Sequence, residues 1–441
     1  MKKSLKILAF IFVLLLSVSN VSAQTLGDIN IDSRFMSVIE IDQGSVSKLY
    51  QKNEEAHMYP ASMTKLMSVY VAMKHLDNLD ESVTLTSADF AGLGAAGASM
   101  AGFRVGETLT INDLLHGSLL ASGAEATRTL ARLISGDEDS FVTLMNEEAK
   151  HLGMNDTHFV NTSGLHDDEH YSTTSDFALL MVEVMKDPEL KEMLSKLTYR
   201  TNPSNVHPQG ILLQNTLIAY SEIGGHEIGH ILGGKTGWTP QAGYCLVSFS
   251  ELNDKVVVII SADGFEYGIQ LKDHNTIYEE LFDTQHDVTV LQAGQQLGEI
   301  NIRFANNLKT FPLIIDEDIA VQVPQIVTKD DIEITIEHPE SMDTPLEKGT
   351  TMGNVSVTYG DEALYEKQFV LNESIERNAF YYYAHRFIEW ITTPIVAITI
   401  LGIILFVILL LLTLSFVRKI RLKRSRYKTK RKYYNRKKWR L

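Results

Sequence analysis

Hydrophobic positions along the 441 residues fall into four successive textures. The first is ILAFIFVLLL at Ile7–Leu16, preceded by Lys2, Lys3 and Lys6 and followed by the small residues Val21-Ser22-Ala23. A basic start, a short apolar run and a small-residue cleavage site form the pattern of a secretory signal peptide, so residues 1–23 are expected to be removed on export. From 24 to 282, apolar residues such as Met63, Leu66, Met67, Tyr70 and Val71 recur at helical spacing, between short strand-like runs such as Val256–Ala262. From 286 to 372 the period becomes two: Ile300, Ile302, Phe304; Ile319, Val321, Val323; Ile332, Ile334, Ile336; Val355, Val357, Tyr359. The fourth texture, Ile391–Val417, is uncharged and mostly aliphatic. As a helix rising about 1.5 Å per residue it reaches roughly 40 Å, enough to cross a bilayer with some tilt.

These textures predict an α/β domain over 24–282, a small β-sandwich-like all-β domain over 286–372, a transmembrane anchor over 391–417 and a tail over 418–441. The segment Asn372–Trp390, with consecutive tyrosines at Tyr381–Tyr383, is expected to lead into the membrane interface.

Charge sharpens the topology. The tail after Val417 carries fourteen Lys or Arg and no acid, which places it on the cytoplasmic side and the bulk of the chain outside. Tyr427, Tyr433, Tyr434 and Trp439 interleave those cations, yet a basic segment directly after a span is read as contacting anionic lipid rather than nucleic acid. The formal net charge of −15 hides a strong asymmetry, because 23 basic residues face all 55 acidic ones between signal and anchor. That region, at −32, excludes a polyanionic partner held by bulk charge. Cys245 is the only cysteine, so no intramolecular disulfide forms, and its apolar setting GYCLVSF reads as buried core.

Candidate chemistry begins at YPASMTKLMSVYVAMKHL. Pro60-Ala61-Ser62 opens an apolar helix, and the three-residue spacing of Ser62 and Lys65 puts hydroxyl and amine on one face near the helix N-terminus. Serine there is a nucleophile if Lys65, its pKa lowered by burial or a second cation, takes the proton; otherwise Lys65 is an exposed helix lysine. Downstream, Thr110 and Asp113 form a capping pair, and Ser122-Gly123 interrupts an apolar run before a helix starting near Ala124. Ser122 either projects into a cleft as a proton relay or caps that helix. Lys235-Thr236-Gly237 enters a strand, where a cleft-facing Lys and Thr suit a substrate carboxylate and Gly237 allows close backbone approach; a solvent-facing turn is the alternative.

A competing pattern overlaps the last motif. His226-Glu227-Ile228-Gly229-His230 fits H-E-x-x-H, which binds zinc only when a helix brings both imidazoles to one face. Gly224, Gly225, Gly229, Gly233 and Gly234 disfavour such a helix, so this stretch is expected to be a loop or strand approach to Lys235. His166 and His170 are expected to be structural or to line the cleft.

Taken in order, Ser62-x-x-Lys65, Ser122-Gly123 and Lys235-Thr236-Gly237 resemble the D-alanyl-D-alanine carboxypeptidases of the low-molecular-weight penicillin-binding proteins. The likeness extends to Asn161–Leu180, to Lys235–Val247, to the β-rich second domain and to the C-terminal membrane attachment. The resemblance implies a penicillin-binding/β-lactamase-like fold, an antiparallel sheet flanked by helices. It implies Ser62 as nucleophile, Lys65 as general base and Ser122 as proton relay. Lys235 and Thr236 would hold the substrate carboxylate, Gly237 would admit the substrate, and the backbone N–H groups of Ser62 and Trp238 would form the oxyanion hole. Also implied are peptidoglycan stem peptides as substrates, β-lactams as covalent inhibitors, no metal or other cofactor, and a single-pass location in a bacterial cell membrane with the catalytic domain outside. One departure stands out: the family's Ser-x-Asn motif has Ala124 at its third position. Its loss leaves open a weakened enzyme, or a non-catalytic protein that binds the cell wall.

Overall fold

The computed structural model describes residue 26 and residues 29–252, 255–306 and 309–437, with side chains to Lys428. The expected signal peptide and the last residues of the basic tail lie outside the described residues. The chain divides into two compact units, one of Met1–Asp287 with Gln322–Thr328, the other of Val288–Val321 with Lys329–Leu441.

The first unit is built on a five-stranded antiparallel sheet. Its strands are β1 (Phe35–Asp42), β2 (Ser45–Lys52), β3 (Gly233–Thr239), β4 (Gly243–Leu252) and β5 (Lys255–Gly264), in the order β2-β1-β5-β4-β3. The continuous apolar run of β5 follows from its central place: Val257, Val258, Ile259 and Ile260 are all fully buried. Each contributes roughly 1.5–3 kcal/mol of burial. Helices cover both faces, with α5 (Thr174–Lys186) against β1 and β5 and α8 (Ile269–Phe282) against β4 and β5. The expected mixed α/β architecture with an antiparallel sheet is the one observed.

Helix α1 (Thr64–Met73) departs from a simple amphipathic pattern. Thr64 through Ala72 are buried on every side, because α2 (Ile111–Leu119), α3 (Ala124–Ser135) and α4 (Glu138–Leu152) all pack against it. A helix wrapped in this way needs partners for its polar side chains. Ser68 finds the Thr162 carbonyl at 2.7 Å and Thr64 finds His170 at 2.8 Å. The expected Thr110–Asp113 capping box opens α2, and the break at Ser122-Gly123 separates α2 from α3.

The second unit holds two three-stranded sheets. In one, Gln296–Arg303 lies between Thr310–Ile314 and Ser341–Asp343; in the other, Thr351–Tyr359 lies between Glu333–Glu337 and Glu362–Val370. Ile300, Ile302, Val355 and Val357 are buried as the two-residue period requires, whereas Ile334 and Ile336 are only half-buried. The continuous reading of 286–372 is interrupted, because Gln322–Thr328 belongs with the first unit. There Gln325 and Ile326 donate to the Thr284 and Leu281 carbonyls, and Val323, Ile326 and Val327 are buried.

Beyond the β-rich part, α9 (Ala379–Thr392) exposes Phe380, Tyr381, Tyr383, Phe387 and Trp390, and α10 (Pro394–Lys437) follows. Helix α10 is long and apolar enough to cross a membrane. It begins at Pro394, within the apolar stretch 391–417, because Thr393, at ψ 137°, precedes a proline, and a residue before proline is driven out of the helical region. It also continues beyond Val417 into the basic tail, where Lys and Arg are good helix formers and no glycine or proline intervenes.

Candidate active site

Ser62 lies in a single 3₁₀ turn, Ala61–Met63, that leads directly into α1. Lys65, one turn on, is 1% exposed, and its Nζ donates to Ser62 Oγ at 2.8 Å and to the Ser163 carbonyl at 2.7 Å. The second acceptor was not singled out in the sequence. It is presented by the loop Asn161–Leu165, which Asn161 shapes: its Oδ1 accepts from the backbone N–H groups of Ser163, Gly164 and Leu165, and its Nδ2 donates to the Leu165 carbonyl. An Asn-x-Ser-Gly stretch is a turn signal by composition. Gly164, at φ +80°, is needed because a Cβ there would fall 1.7 Å from the Ala61 carbonyl oxygen.

The second half of the site joins Ser122 to β3. Lys235, fully buried, donates to Ser122 Oγ at 3.0 Å and to the Thr236 carbonyl at 2.9 Å. Ser122 does not cap α3, since Gly123 occupies the N-cap without a side-chain bond. Ser122 adopts φ +59° and Ala61, just before Ser62, adopts φ +46°. Non-glycine residues in this region cost of order 1–3 kcal/mol, and both flank the proposed chemistry. The Thr236 hydroxyl lies 2.6 Å from that of Thr216, at the start of α7 (Thr216–Gly224). β3 is an edge strand that passes close to the Ser62 turn. A Cβ on Gly237 would meet the Pro60 carbonyl at 3.0 Å and the Ser62 nitrogen at 3.1 Å, so glycine permits that approach. Trp238 shares the strand face of Thr236, two residues away, and is 49% exposed with its ring 6.1 Å from that of Tyr244.

Burial sets the electrostatics. Desolvation pulls the Lys65 ammonium down from 10.5 to about 7, with the Glu125 carboxylate working in the opposite direction. Lys235 is held well below its ordinary value by burial and then by the charge of Lys65. Glu125, also unremarked in the sequence, is buried on α3. Its Oε1 accepts from the Ala101 and Gly102 N–H groups, while desolvation raises its pKa. Burial in a dry site therefore favours a neutral amine beside Ser62.

The other sequence candidates fall outside this cluster or behind it. Residues 226–230 form a loop after α7, not a helix, and His230 Nε2 pairs with Asp283 at 3.0 Å. Among the described residues no group of three or more His, Cys, Asp or Glu could hold a metal. His170 is buried between Thr64 and the Val160 N–H, and desolvation lowers it to about 4. His166 packs edge-on against Tyr59 at 4.8 Å. Cys245 is fully buried in β4, which pushes its thiol up to about 12. Ala124 is fully buried at the first position of α3.

Comparison with known proteins agrees with this geometry. Residues 20–265 match the D-alanyl-D-alanine carboxypeptidase family, and 286–377 match the C-terminal domain of penicillin-binding protein 5. D-alanyl-D-alanine carboxypeptidase DacF of Bacillus subtilis is 26% identical over 354 residues, covering 78% of this chain and 86% of the relative. The corresponding DacA protein of Escherichia coli is 24% identical over 353 residues, covering 78% and 84%. Among solved structures, the Streptomyces K15 DD-transpeptidase gives a TM-score of 0.50 at 26% identity over 58% of this chain and 98% of its own. Penicillin binding protein 5 of Haemophilus influenzae gives 0.52 at 23% identity over 79% and 99%, a likeness of fold. Since the first family match spans more than half of the chain, the protein belongs to the D-alanyl-D-alanine carboxypeptidase family.

Proposed function

We propose that this protein is a serine D,D-carboxypeptidase that removes the terminal D-alanine from peptidoglycan stem pentapeptides through an acyl-serine intermediate, and so acts in cell-wall maturation. The observation that carries the reading is the 2.8 Å bond between a buried, desolvated Lys65 and Ser62 Oγ. Lys65 in its neutral form takes the Ser62 proton as Oγ attacks the carbonyl carbon of the penultimate residue. The tetrahedral oxyanion is held by the backbone N–H groups of Ser62 and Trp238, each such donor being worth about 3 kcal/mol to the transition state. The nearness of Gly237 to the Ser62 nitrogen supports that pairing. As the peptide C–N bond breaks, Ser122 passes a proton to the leaving amine and is reprotonated with the one that Lys65 took, so that Lys65 returns to its neutral form. Lys235 and Thr236 hold the terminal carboxylate. Water then attacks the ester, releasing the shortened peptide and restoring Ser62.

The same serine would open the ring of a β-lactam and remain acylated. The apolar α10 holds the enzyme to a bacterial cell membrane as a single span, with the catalytic unit on the outer face and the basic tail near anionic lipid inside.

The test is the intact mass of the full chain in detergent after exposure to benzylpenicillin, beside Ser62→Ala, with chelator present throughout. A gain equal to the drug, lost in the variant, is the expected result. An adduct that persists in Ser62→Ala would sink the assignment of Ser62, and no adduct in either protein would sink the acyl-serine reading.

A further inference from the structure

A cavity of about 300 Å³ opens beside the corner where the substrate carboxylate is proposed to sit. Ala121, the neighbour of Ser122, forms one edge, and Thr216, whose hydroxyl meets that of Thr236, forms another. The space is therefore one residue removed from the two side chains that would flank the leaving residue, the relay Ser122 beside Ala121 and the carboxylate holder Thr236 beside Thr216. Its near walls are small and apolar, including Ala101 and Ala219, and they leave far more room than the methyl group of an alanine requires. Helix α7 carries Thr216, Ala219 and Glu222, each adjacent to the next at three-residue spacing, and all three line the cavity on the way outward from the carboxylate corner. Glu222 lines the cavity, is exposed at its outer end, and makes no ion pair among the described residues. A groove with alanine, leucine and isoleucine side chains along it, Gln214, Asn215 and Thr216 among them, and an unpaired carboxylate at its outer end accommodates a side chain with an aliphatic stem and a terminal cation.

We propose that this cavity is the leaving-residue subsite and that, besides alanine, it takes a D-amino acid with a long cationic side chain, whose charge meets Glu222. The proposal rests on the carboxypeptidase reading above. The chemistry is that hydrolysis with a different leaving group. The C–N bond to the basic residue breaks, the ester to Ser62 forms, the relayed proton goes to the leaving α-amine, and water cleaves the ester. The cationic side chain takes no part in bond making. The leaving residue's α-carboxylate stays on Lys235 and Thr236 while the side chain lies along Ala121 and Ala219.

The experiment uses the full chain in detergent and three acetylated peptides that differ only in the last residue: D-Ala–D-Ala, D-Ala–D-Lys and D-Ala–D-norleucine. Norleucine matches the length of the lysine stem without its charge. Release of the last residue is followed by mass spectrometry. Cleavage of all three is expected, with kcat/KM for D-Lys exceeding that for D-norleucine by about 1.5-fold to fivefold at low salt, the range of an exposed ion pair. Added salt should shrink that ratio, Glu222→Gln should bring it close to one, and Glu222→Lys should invert it. Cleavage of D-Ala–D-Ala alone overturns the inference and leaves the carboxypeptidase reading standing. Equal rates for D-Lys and D-norleucine, or a ratio that Glu222→Gln leaves unmoved, overturn the assignment of a cationic side chain to Glu222. No turnover of any peptide, D-Ala–D-Ala included, overturns both.

Discussion

The Nζ of Lys235 donates to Ser122 Oγ at 3.0 Å, although 113 residues separate them in sequence. The bond ties a strand-borne lysine to a serine at a helix break, and it fixes the hydroxyl near Thr236 of β3, the proposed holder of the substrate carboxylate. If Ser122 relays the proton to the leaving amine, Ser122→Ala should lower turnover by about a hundredfold or more, the usual worth of a positioned proton carrier. Substrate binding and the melting temperature should change far less. The comparison of kcat for D-alanine release with thermal unfolding checks this, and equal loss of both would make Ser122 merely structural.

Lys65 ties activity to pH. With a folded pKa of about 7, its neutral form grows as pH rises through that value, so the acylation rate by a fluorescent penicillin should climb along an acidic limb centred near 7. Stability follows the same group with a definite sign. Between about 7 and the ordinary 10.5 the unfolded chain holds a proton on this lysine that the folded chain lacks. This residue's contribution to stability therefore rises with pH across that window. A flat acylation profile from pH 5 to 9 would remove Lys65 from the role of base.

Gly164 sits where a Cβ would fall 1.7 Å from the Ala61 carbonyl, at a φ of +80° that other residues resist. Gly164→Ala should destabilise the fold by more than about 3 kcal/mol, or push the 161–165 loop away from Lys65. Loss of penicillin acylation in the fraction that remains folded is the expected readout, with circular dichroism to count that fraction.

Ala124 is fully enclosed, so restoring the family's asparagine should not rescue anything. Ala124→Asn adds volume and a polar amide to a filled position and is expected to cost about 1–3 kcal/mol. Calorimetry and D-alanine release would check it; higher turnover with unchanged stability would show that the missing amide limits the enzyme.

The His230–Asp283 pair is partly exposed, and His230→Ala should cost less than about 1 kcal/mol. D-alanine release by this variant, with chelator present, should match the parent protein. A loss of turnover on chelation would reopen the reading of residues 226–230 as a metal site.

The textures of the sequence and the three spaced motifs were local signals, and for that reason they were legible. Met63, Leu66 and Met67 announced α1 through their period, Thr110 and Asp113 announced the start of α2 through capping chemistry, and the apolar run of β5 announced a strand. The Ser163 carbonyl and Glu125 were not legible, because one contributes a backbone atom common to every residue and the other looks like an ordinary first-turn acid on α3. The break between α9 and α10 was not legible, since apolarity does not report the conformation that Pro394 imposes on Thr393.

What the sequence determined by itself was therefore the set of parts: an α/β domain, a β-rich domain, a long apolar helix, and serines and lysines spread over three motifs. What only the tertiary structure decided was their meeting. Lys65 finds the Ser163 carbonyl 98 residues away, and Lys235 finds Ser122 across 113. The state of each lysine depends on that meeting, because desolvation and a neighbouring charge, Glu125 for Lys65 and Lys65 for Lys235, are properties of the folded interior, where water is excluded.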